Sequence, residues 1–198
     1  LAEKICESVL LNYSSVEEIK VEVKKPWAPI MLPLEDVSVS IRRKWHTVYL
    51  SLGSNMGDRE KYITDALSFI ASDKRCKDIK NSGMIETAPY GVTDQAPFLN
   101  CCTELKTLCY PHELHELTSK AEENAARERK IRWGPRTLDV DIILYDDLIL
   151  HDKTLTIPHI DMHNREFVLE PLVELNPYAI HPVLQKSALS MLQELKNK

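Results

Sequence analysis

The stretch RWGPRTLDVDIILYDD, from Arg132 to Asp147, is the most informative part of the sequence. It begins with cationic and bulky residues around a Gly-Pro pair and continues as an apolar strand that carries Asp139 and Asp141. Residues two apart in a strand face the same side. Both carboxylates are therefore expected to point one way, with the intervening Val140, Ile142 and Leu144 pointing the other.

Two carboxylates on one face repel each other unless a positive charge lies between them. Carboxylate oxygens are ligands that suit Mg²⁺. The cations just before the pair, from Arg127 to Arg136, suit phosphate. Such a charge run is more often only a solvated helix end, but its position directly before the aspartates favours a function. The sequence thus predicts a magnesium–phosphate site with Asp139 and Asp141 as the metal ligands.

Length and composition limit the possible classes of protein. The chain has 198 residues, an apolar content of 43% and a net charge of −5. These values are typical of one substantial domain, or of one domain with a fragment, and argue against broad binding of nucleic acid. No apolar run is long enough to cross a membrane, and the start of the chain does not resemble a signal peptide.

The five cysteines show no CxxC or Cys/His zinc spacing. They are interpreted as reduced thiols of an intracellular protein, either cytoplasmic or mitochondrial. Catalysis by Cys101 or Cys102 has little support, because the strand-like run around them simply buries one of the two.

Residues 1–45 and 46–198 are predicted to be separate segments. The first contains a helix over residues 1–13 and two alternating strands, around residues 19–23 and 37–41. This is too little to bury a stable core alone. We interpret this segment as the tail of a preceding domain.

From His46 the pattern begins again. A strand over 48–52 is predicted to enter a turn at Gly53, and Asp58 is expected to cap the next helix. Strands over 79–85 and 98–108, a helix from Pro111 and the aspartate strand follow. Leu148–Leu150 is predicted to form a hairpin with the aspartate strand. A helix interrupted at Pro171 and a last helix capped by Ser187 complete the chain.

The order β-α-β-β-α-β indicates an α+β fold, a ferredoxin-like α/β sandwich with a mainly antiparallel central sheet. The N-terminal helix-strand-strand fragment precedes it.

With these residues placed, the segment 46–198 closely resembles 6-hydroxymethyl-7,8-dihydropterin pyrophosphokinases of folate biosynthesis. Four motifs carry the resemblance, in the family's order: YLSLGSNMGDR, ETAPYGVTDQAPFLN, RWGPRTLDVDIILYDD and LTIPHIDMHNREFVLEPL. The resemblance implies transfer of pyrophosphate from ATP, the co-substrate, to the pterin hydroxymethyl oxygen. It also implies two Mg²⁺ ions and no covalent enzyme intermediate.

The resemblance also implies site residues. Asp139 and Asp141 match the metal-binding pair, and Arg127 and Arg136 match catalytic arginines that close over the phosphates. The positions that match ATP-binding residues are Glu122, Arg129, Lys130, Trp133, Arg136, Ile142, Thr156, His159 and Arg165. Those that match pterin-binding residues are Thr87, Ala88, Tyr90, Phe98, Asn100 and Phe167. Phe98 and Phe167 would enclose the flat ring, and Asn100 would bind its edge.

Most of these residues have a purely structural interpretation as well. Phe98 and Phe167 have the spacing of core aromatics, Asn100 that of a satisfied polar residue in a strand, and His159 that of a turn histidine. Without the resemblance, only the aspartate pair with its neighbouring cations favours a function.

The first segment resembles the end of a dihydroneopterin aldolase domain, through KICESVLLNYSSVEEIKVEVKKPWAP and LEDVSVSIRR. Lys25 matches a lysine of that family's site, but its partners are absent, so no aldolase activity is expected. The resemblance implies a fungal-type multifunctional protein of folate synthesis, with a dihydropteroate synthase domain expected downstream.

Two other functions remain open at this point. A non-catalytic domain that keeps the fold within a larger assembly would release no AMP from ATP in the presence of the pterin. A ferredoxin-like nucleic-acid module would use the cations of 127–136, but the acidic net charge and the lack of paired aromatics on a central strand argue against it.

Overall fold

The structure is a computed structural model that describes residues 1–26, 29, 36–89, 94–125 and 137–197. The chain divides into two compact units, Leu1–His46 and Thr47–Lys198.

The first unit contains helix α1 (Ala2–Asn12) and strands β1 (Glu18–Lys25) and β2 (Val37–Lys44). The strands pair antiparallel along their full lengths, from Glu18 opposite Lys44 to Lys25 opposite Val37. Cys6 and Leu10 of α1 are buried, and Arg43 of β2 pairs with Glu3 of α1. The predicted helix and two strands of this segment are confirmed.

The second unit follows the predicted order of elements, except that the single strand predicted over 79–85 is two strands, Cys76–Asn81 and Ile85–Thr87. Its strands and helices are β3 (His46–Ser54), α2 (Arg59–Ser72), β4 (Cys76–Asn81), β5 (Ile85–Thr87), β6 (Phe98–Thr107), α3 (Pro111–Asn124), β7 (Asp139–Tyr145), β8 (Leu150–His151), β9 (Thr156–Ile157), α4 (Glu166–Leu175), β10 (Ile180–His181), β11 (Lys186–Ser187) and α5 (Ala188–Lys196), with a 3-10 helix at Met162–Asn164.

One sheet organises this unit. Its strands lie in the order β4-β6-β3-β7, and the short β5 also pairs with β6. The pairs β3/β7, β4/β6 and β5/β6 are antiparallel. The predicted α+β class and its mainly antiparallel sheet are therefore confirmed.

Alternation along the central strands separates two apolar clusters. Val48, Leu50 and Leu52 of β3 belong to the cluster that contains buried residues of α2 and α3. Tyr49 belongs to the cluster that contains residues of α4 and α5. Both faces of the sheet are thus covered by helices, which explains why its central strands carry few charged residues.

The alternation fails at one point in β7. Val140 and Ile142 lie in the α2/α3 cluster, whereas Leu144 lies in the α4/α5 cluster. Leu50 pairs with Ile142 but Tyr49 pairs with Leu144, so Ile143 is an extra residue in the ladder. A bulge of this kind shifts the following side chains to the opposite face. The prediction that Leu144 shares a face with Val140 and Ile142 was wrong for this reason.

Two further predictions about local structure were also wrong. Gly53 lies inside β3 and pairs with Asp139, rather than in a turn. The hairpin partner of Leu150 is Ile157 of β9, not the aspartate strand. The turn of that hairpin is held by Asp152, whose carboxylate accepts hydrogen bonds from the backbone N–H groups of Thr154 and Leu155 at 2.8 and 2.9 Å.

Helix α4 also differs from its prediction, since it continues through Pro171 without interruption. Proline removes one backbone hydrogen bond from a helix. Val168, Leu169, Pro171 and Leu172 are all buried, and this apolar burial offsets the loss.

Both predicted helix caps are confirmed. The Asp58 carboxylate accepts a hydrogen bond from the Lys61 N–H at 3.1 Å, and the Ser187 hydroxyl accepts one from the Ser190 N–H at 3.2 Å. None of the helices in the described part of the chain is both long and apolar enough to span a bilayer.

The substitution Asp58→Ala is expected to lower the free energy of unfolding by about 1 kcal/mol, because it removes the acceptor for the first turn of α2. Urea denaturation of the purified chain measures this change. Asp58→Asn keeps an acceptor at the cap and should retain most of the stability. Asp65→Ala, which removes only the exposed partner of Lys61, is the surface control. Equal stability of the Asp58→Ala variant and the unmodified chain would contradict the assignment of the cap.

Candidate active site

The aspartate pair lies at the start of β7, on the edge of the sheet. Asp139 is opposite Gly53 and Asp141 is opposite Ser51 of the neighbouring β3. The residue between them, Val140, is buried with Leu52 in the α2/α3 cluster. Both aspartates therefore face the opposite side of the sheet, as the sequence predicted, and 40% of the Asp141 side chain remains exposed.

Glu122 of α3 covers the backbone between the two aspartates. Its side chain is buried, and its Oε1 accepts a hydrogen bond from the Val140 N–H at 2.9 Å. A donor on an edge strand is thereby satisfied by a carboxylate. Glu122 thus anchors α3 to the strand that carries the aspartates.

Gly53 brings a second group of predicted residues to the same face. A Cβ atom on Gly53 would lie 2.6 Å from Asn100 Oδ1 and 3.9 Å from Phe98 Cδ1. Side chains of directly paired residues lie on the same face of a sheet. Because Gly53 pairs with Asp139, a Cβ on Gly53 would point to the same face as the Asp139 side chain. The amide of Asn100 on β6 and the carboxylate of Asp139 on β7 therefore lie on the two sides of Gly53.

The position of Asn100 is held by β5. Its Nδ2 donates a hydrogen bond to the Thr87 hydroxyl at 2.7 Å, and Asn100 is buried. Thr87 pairs with Phe98, and Ile85 pairs with Asn100. Ala88, exposed, follows directly after the strand. Four of the residues predicted to bind the pterin, namely Thr87, Ala88, Phe98 and Asn100, thus lie together at one end of the β5–β6 hairpin.

The segment that precedes α4 brings His159 to the aspartates. The His159 N–H donates to the Ile143 carbonyl at 3.0 Å, which joins this segment to β7. The His159 Nε2 atom lies 4.0 Å from Asp141 Oδ2. The predicted ATP-binding histidine is therefore beside the predicted metal ligand.

Burial, and to a lesser extent the nearby Arg165 cation, lower the pKa of His159 to about 4, although Asp161 and Asp139 act in the opposite direction. The ring is consequently neutral at pH 7. Its Nδ1 atom accepts a hydrogen bond from the Asp161 N–H at 3.2 Å. The ring proton must then be on Nε2, the nitrogen that faces Asp141.

Arg165 and Phe167 continue this group of contacts. The Arg165 Nε atom donates to Asp161 Oδ2 at 3.1 Å, and the guanidinium carbon lies 5.8 Å from the centre of the Phe167 ring. A cation at this distance from an aromatic face is attracted to it. Phe167, in the first turn of α4, is half-buried against the α4/α5 cluster.

The remaining described ATP-binding candidates have structural contacts. The Thr156 hydroxyl lies 3.0 Å from His151 Nδ1, across the β8–β9 hairpin. The Ile142 side chain is buried in the α2/α3 cluster, on the face opposite the aspartates. Any contact of Ile142 with a nucleotide at the aspartate face would therefore involve its backbone.

The carboxylate pair fits magnesium. In the residues that the structure describes, no three His, Cys, Asp or Glu side chains form a metal-binding group. Magnesium is usually held by one or two carboxylates and keeps waters and substrate phosphates as its other ligands. Two partly exposed aspartates on one face of a strand meet that requirement.

Six predicted site residues lie outside the described residues, namely Tyr90, Arg127, Arg129, Lys130, Trp133 and Arg136.

Sequence reasoning missed Gly53, Asn55 and Arg59. Asn55 is buried after β3, and Arg59 is the first residue of α2. The sequence GSN predicts a turn, but a glycine directly after an apolar strand also indicates that another side chain or backbone closely approaches the strand. No local pattern identified Asn55 or Arg59, because their partners are distant in the chain.

Comparison with known protein families finds a match within the second unit. The family model described as 7,8-dihydro-6-hydroxymethylpterin-pyrophosphokinase (HPPK) matches residues 49–177. The 2-amino-4-hydroxy-6-hydroxymethyldihydropteridine pyrophosphokinase of Bacillus subtilis is 44% identical over 127 residues, which are 64% of this chain and 76% of that protein. The Aquifex aeolicus protein of the same name is 39% identical over 140 residues, with coverage of 71% and 86%.

Two longer proteins also match, one in sequence and one in fold. The folic acid synthesis protein fol1 of Schizosaccharomyces pombe is 36% identical over 150 residues, which are 76% of this chain but 20% of that protein. A crystal structure of Plasmodium falciparum HPPK-DHPS, wild type with SDX-DHP, has a TM-score of 0.60 at 15% identity and covers 77% of this chain and 44% of that one. This structural likeness supports the fold alone. The chain spans less than half of these two longer proteins.

The substitution Gly53→Ala is expected to lower the free energy of unfolding by about 1–3 kcal/mol, because its Cβ would overlap the Asn100 amide. Urea denaturation measures the change. Gly83→Ala is the matched control, since a Cβ there would meet only the Glu174 carboxylate at an ordinary 3.5 Å. Equal effects of the two substitutions would contradict the proposed close approach at Gly53.

Proposed function

The chain belongs to the 7,8-dihydro-6-hydroxymethylpterin-pyrophosphokinase family, and on this premise we propose how its residues perform that reaction. The segment 46–198 transfers pyrophosphate from ATP to 6-hydroxymethyl-7,8-dihydropterin in folate biosynthesis. The hydroxymethyl oxygen forms a bond to the β-phosphorus of ATP and loses its proton. The bond from that phosphorus to the oxygen bridging the α-phosphorus breaks, and AMP leaves.

One observation supports the assignment of roles above all others. Gly53 separates the Asp139 carboxylate on one side from the Asn100 amide on the other, on one face of one sheet. Asp139, assigned to the metal and phosphate, and Asn100, assigned to the edge of the pterin ring, are therefore neighbours. Transfer of a phosphoryl-type group depends mainly on such alignment and on neutralisation of phosphate charge.

We assign the pterin to the end of the β5–β6 hairpin. Asn100 would bind the edge of the ring through its side-chain amide, whose nitrogen uses only one of its two hydrogens in the bond to Thr87. Phe98 and Phe167, both half-buried, would lie against the faces of the ring. Tyr90 would also contribute to this site.

The nucleotide is assigned to the side of β7. The neutral His159 would donate a hydrogen bond from Nε2 to a phosphate oxygen, and Arg165 would add positive charge. Thr156, Glu122 and the backbone of Ile142 would complete the described part of this site. Arg129, Lys130 and Trp133 would bind ATP, and Arg127 and Arg136 would close over its phosphates.

Asp139 and Asp141 would hold two Mg²⁺ ions. When bound, the ions neutralise charge on the phosphate oxygens and favour loss of the hydroxyl proton. The two carboxylates would fix that charge at the boundary between the two substrates.

The parent protein is proposed to be multifunctional. Support comes from the long fol1 protein, which is similar in sequence, and from HPPK-DHPS chains, which share the fold. Residues 1–45 would be the end of a dihydroneopterin aldolase domain, without aldolase activity in this segment, and a dihydropteroate synthase domain would follow downstream. The five cysteines are free and buried, which supports an intracellular location.

The substitutions Asp139→Ala and Asp141→Ala are each expected to lower the rate of AMP release by at least about a hundredfold, because each removes a ligand of the metal. AMP is measured after incubation with ATP, Mg²⁺ and the hydroxymethyl pterin. Asp147→Ala, which removes an exposed carboxylate just after β7, should retain activity. Full turnover by either aspartate variant would refute the metal assignment. No AMP from the unmodified chain would instead favour a non-catalytic domain.

The substitution Arg127→Ala is expected to slow turnover far more than it weakens ATP binding, because a closing arginine acts mainly in the transition state. Comparison of kcat with the dissociation constant of an ATP analogue measures this difference. An unchanged kcat would count against that role.

A further inference from the structure

Arg59, outside the predicted site, contacts both strands of the β5–β6 hairpin. Its Nη1 atom donates to the Pro97 carbonyl at 2.8 Å, just before β6 begins. Its Nη2 atom donates to Glu86 Oε2 at 2.7 Å, in the middle of β5. One guanidinium group thus bonds to both sides of the hairpin at the end where the pterin candidates lie.

Asn55 strengthens the same attachment from the end of β3. Its Nδ2 atom lies 3.1 Å from the Ala96 carbonyl and 3.2 Å from Gln95 Oε1. The side chains of Asn55 and Arg59 therefore reach three successive residues, Gln95 to Pro97. These residues lead directly into Phe98.

The hairpin needs an external attachment at this end. Strand β5 has only three residues and pairs only with β6 among the described strands. The paired residues Thr87 and Phe98 are 11 positions apart in the sequence, and the entropy cost of bringing two residues together rises with their separation. The contacts of Arg59 with Glu86 and Pro97 lower this entropy cost, because they hold the ends of β5 and β6 together.

The position of Arg59 in its own helix supports a tertiary role. It is the first residue of α2, where the helix dipole disfavours a cation. Its side chain is 30% exposed, and that of its partner Glu86 is 57% exposed. Local helix energetics do not explain an arginine here, whereas its two long-range hydrogen bonds do.

We propose that Arg59 is a positioning residue for the pterin, which holds Thr87, Phe98 and Asn100 in register by bonding to both strands of the hairpin. The inference rests on the proposed function and extends it to a residue that does not itself touch the substrate. Because the guanidinium group is a planar fork, it bonds two acceptors at once, which a lysine ammonium at this site cannot reproduce in the same geometry.

The test compares steady-state kinetics of Arg59→Ala, Glu86→Ala and the double variant. Arg59→Ala is expected to raise the KM for the hydroxymethyl pterin by about fivefold or more, with the KM for ATP changed less than about twofold. The double variant should have the same pterin KM as Arg59→Ala alone, since each substitution breaks the same Arg59–Glu86 hydrogen bond. Arg59→Lys should restore only part of the pterin affinity.

Lys61→Ala is the matched control, because Lys61 is a cation of the same helix paired with the exposed Asp65. It should leave both KM values unchanged. If Arg59→Ala fails to fold, Glu86→Ala alone must still raise the pterin KM selectively, because it breaks the same bond without altering α2.

Three results would overturn the inference: an unchanged pterin KM in Arg59→Ala, equal increases for both substrates, or additive effects in the double variant. The first two would exclude selective positioning of the pterin, and the third would exclude a shared connection. These results are distinct from failure of the proposed function, in which the unmodified chain itself would release no AMP.

Discussion

The close approach of the Asn100 amide to the backbone of Gly53 is the constraint on which the rest of the candidate site depends. A methyl group at Gly53 would lie within 2.6 Å of Asn100 Oδ1. Because Gly53 also pairs with Asp139, this one position sets the lateral spacing between the amide and the carboxylate. The two halves of the proposed site are neighbours because the strand between them presents no side chain there.

The second requirement is a polar segment over the same face. His159, Asp161 and Arg165 form a connected group next to Asp141. Burial keeps the histidine neutral, with a pKa near 4, so it adds no positive charge of its own beside the aspartates. The hydrogen bond to its Nδ1 leaves Nε2 as a donor. His159 thus supplies a hydrogen-bond donor and Arg165 the positive charge, a combination that suits the binding of a polyanion.

Much of this arrangement could be predicted from local patterns. Alternation placed Asp139 and Asp141 on one face, and the capping residues Asp58 and Ser187 marked two helix starts correctly. The same reasoning failed at Leu144, because a bulge adds one residue to β7 and reverses the faces. It failed at Pro171 because burial of α4 outweighs one lost hydrogen bond. Neither effect has a signal in the local sequence.

Local sequence patterns predict most of the order of elements, the faces of most strands and the aspartate pair, and the motifs identify the family. The tertiary fold sets which strands are neighbours, places Gly53 in a strand against Asn100 and lets Arg59 join the two strands of the hairpin. The physical reason is that periodicity records which side of an element is buried but not what lies beside it. Arg59 and Pro97, for example, are 38 residues apart in the chain and meet only because the sheet folds β6 next to β3.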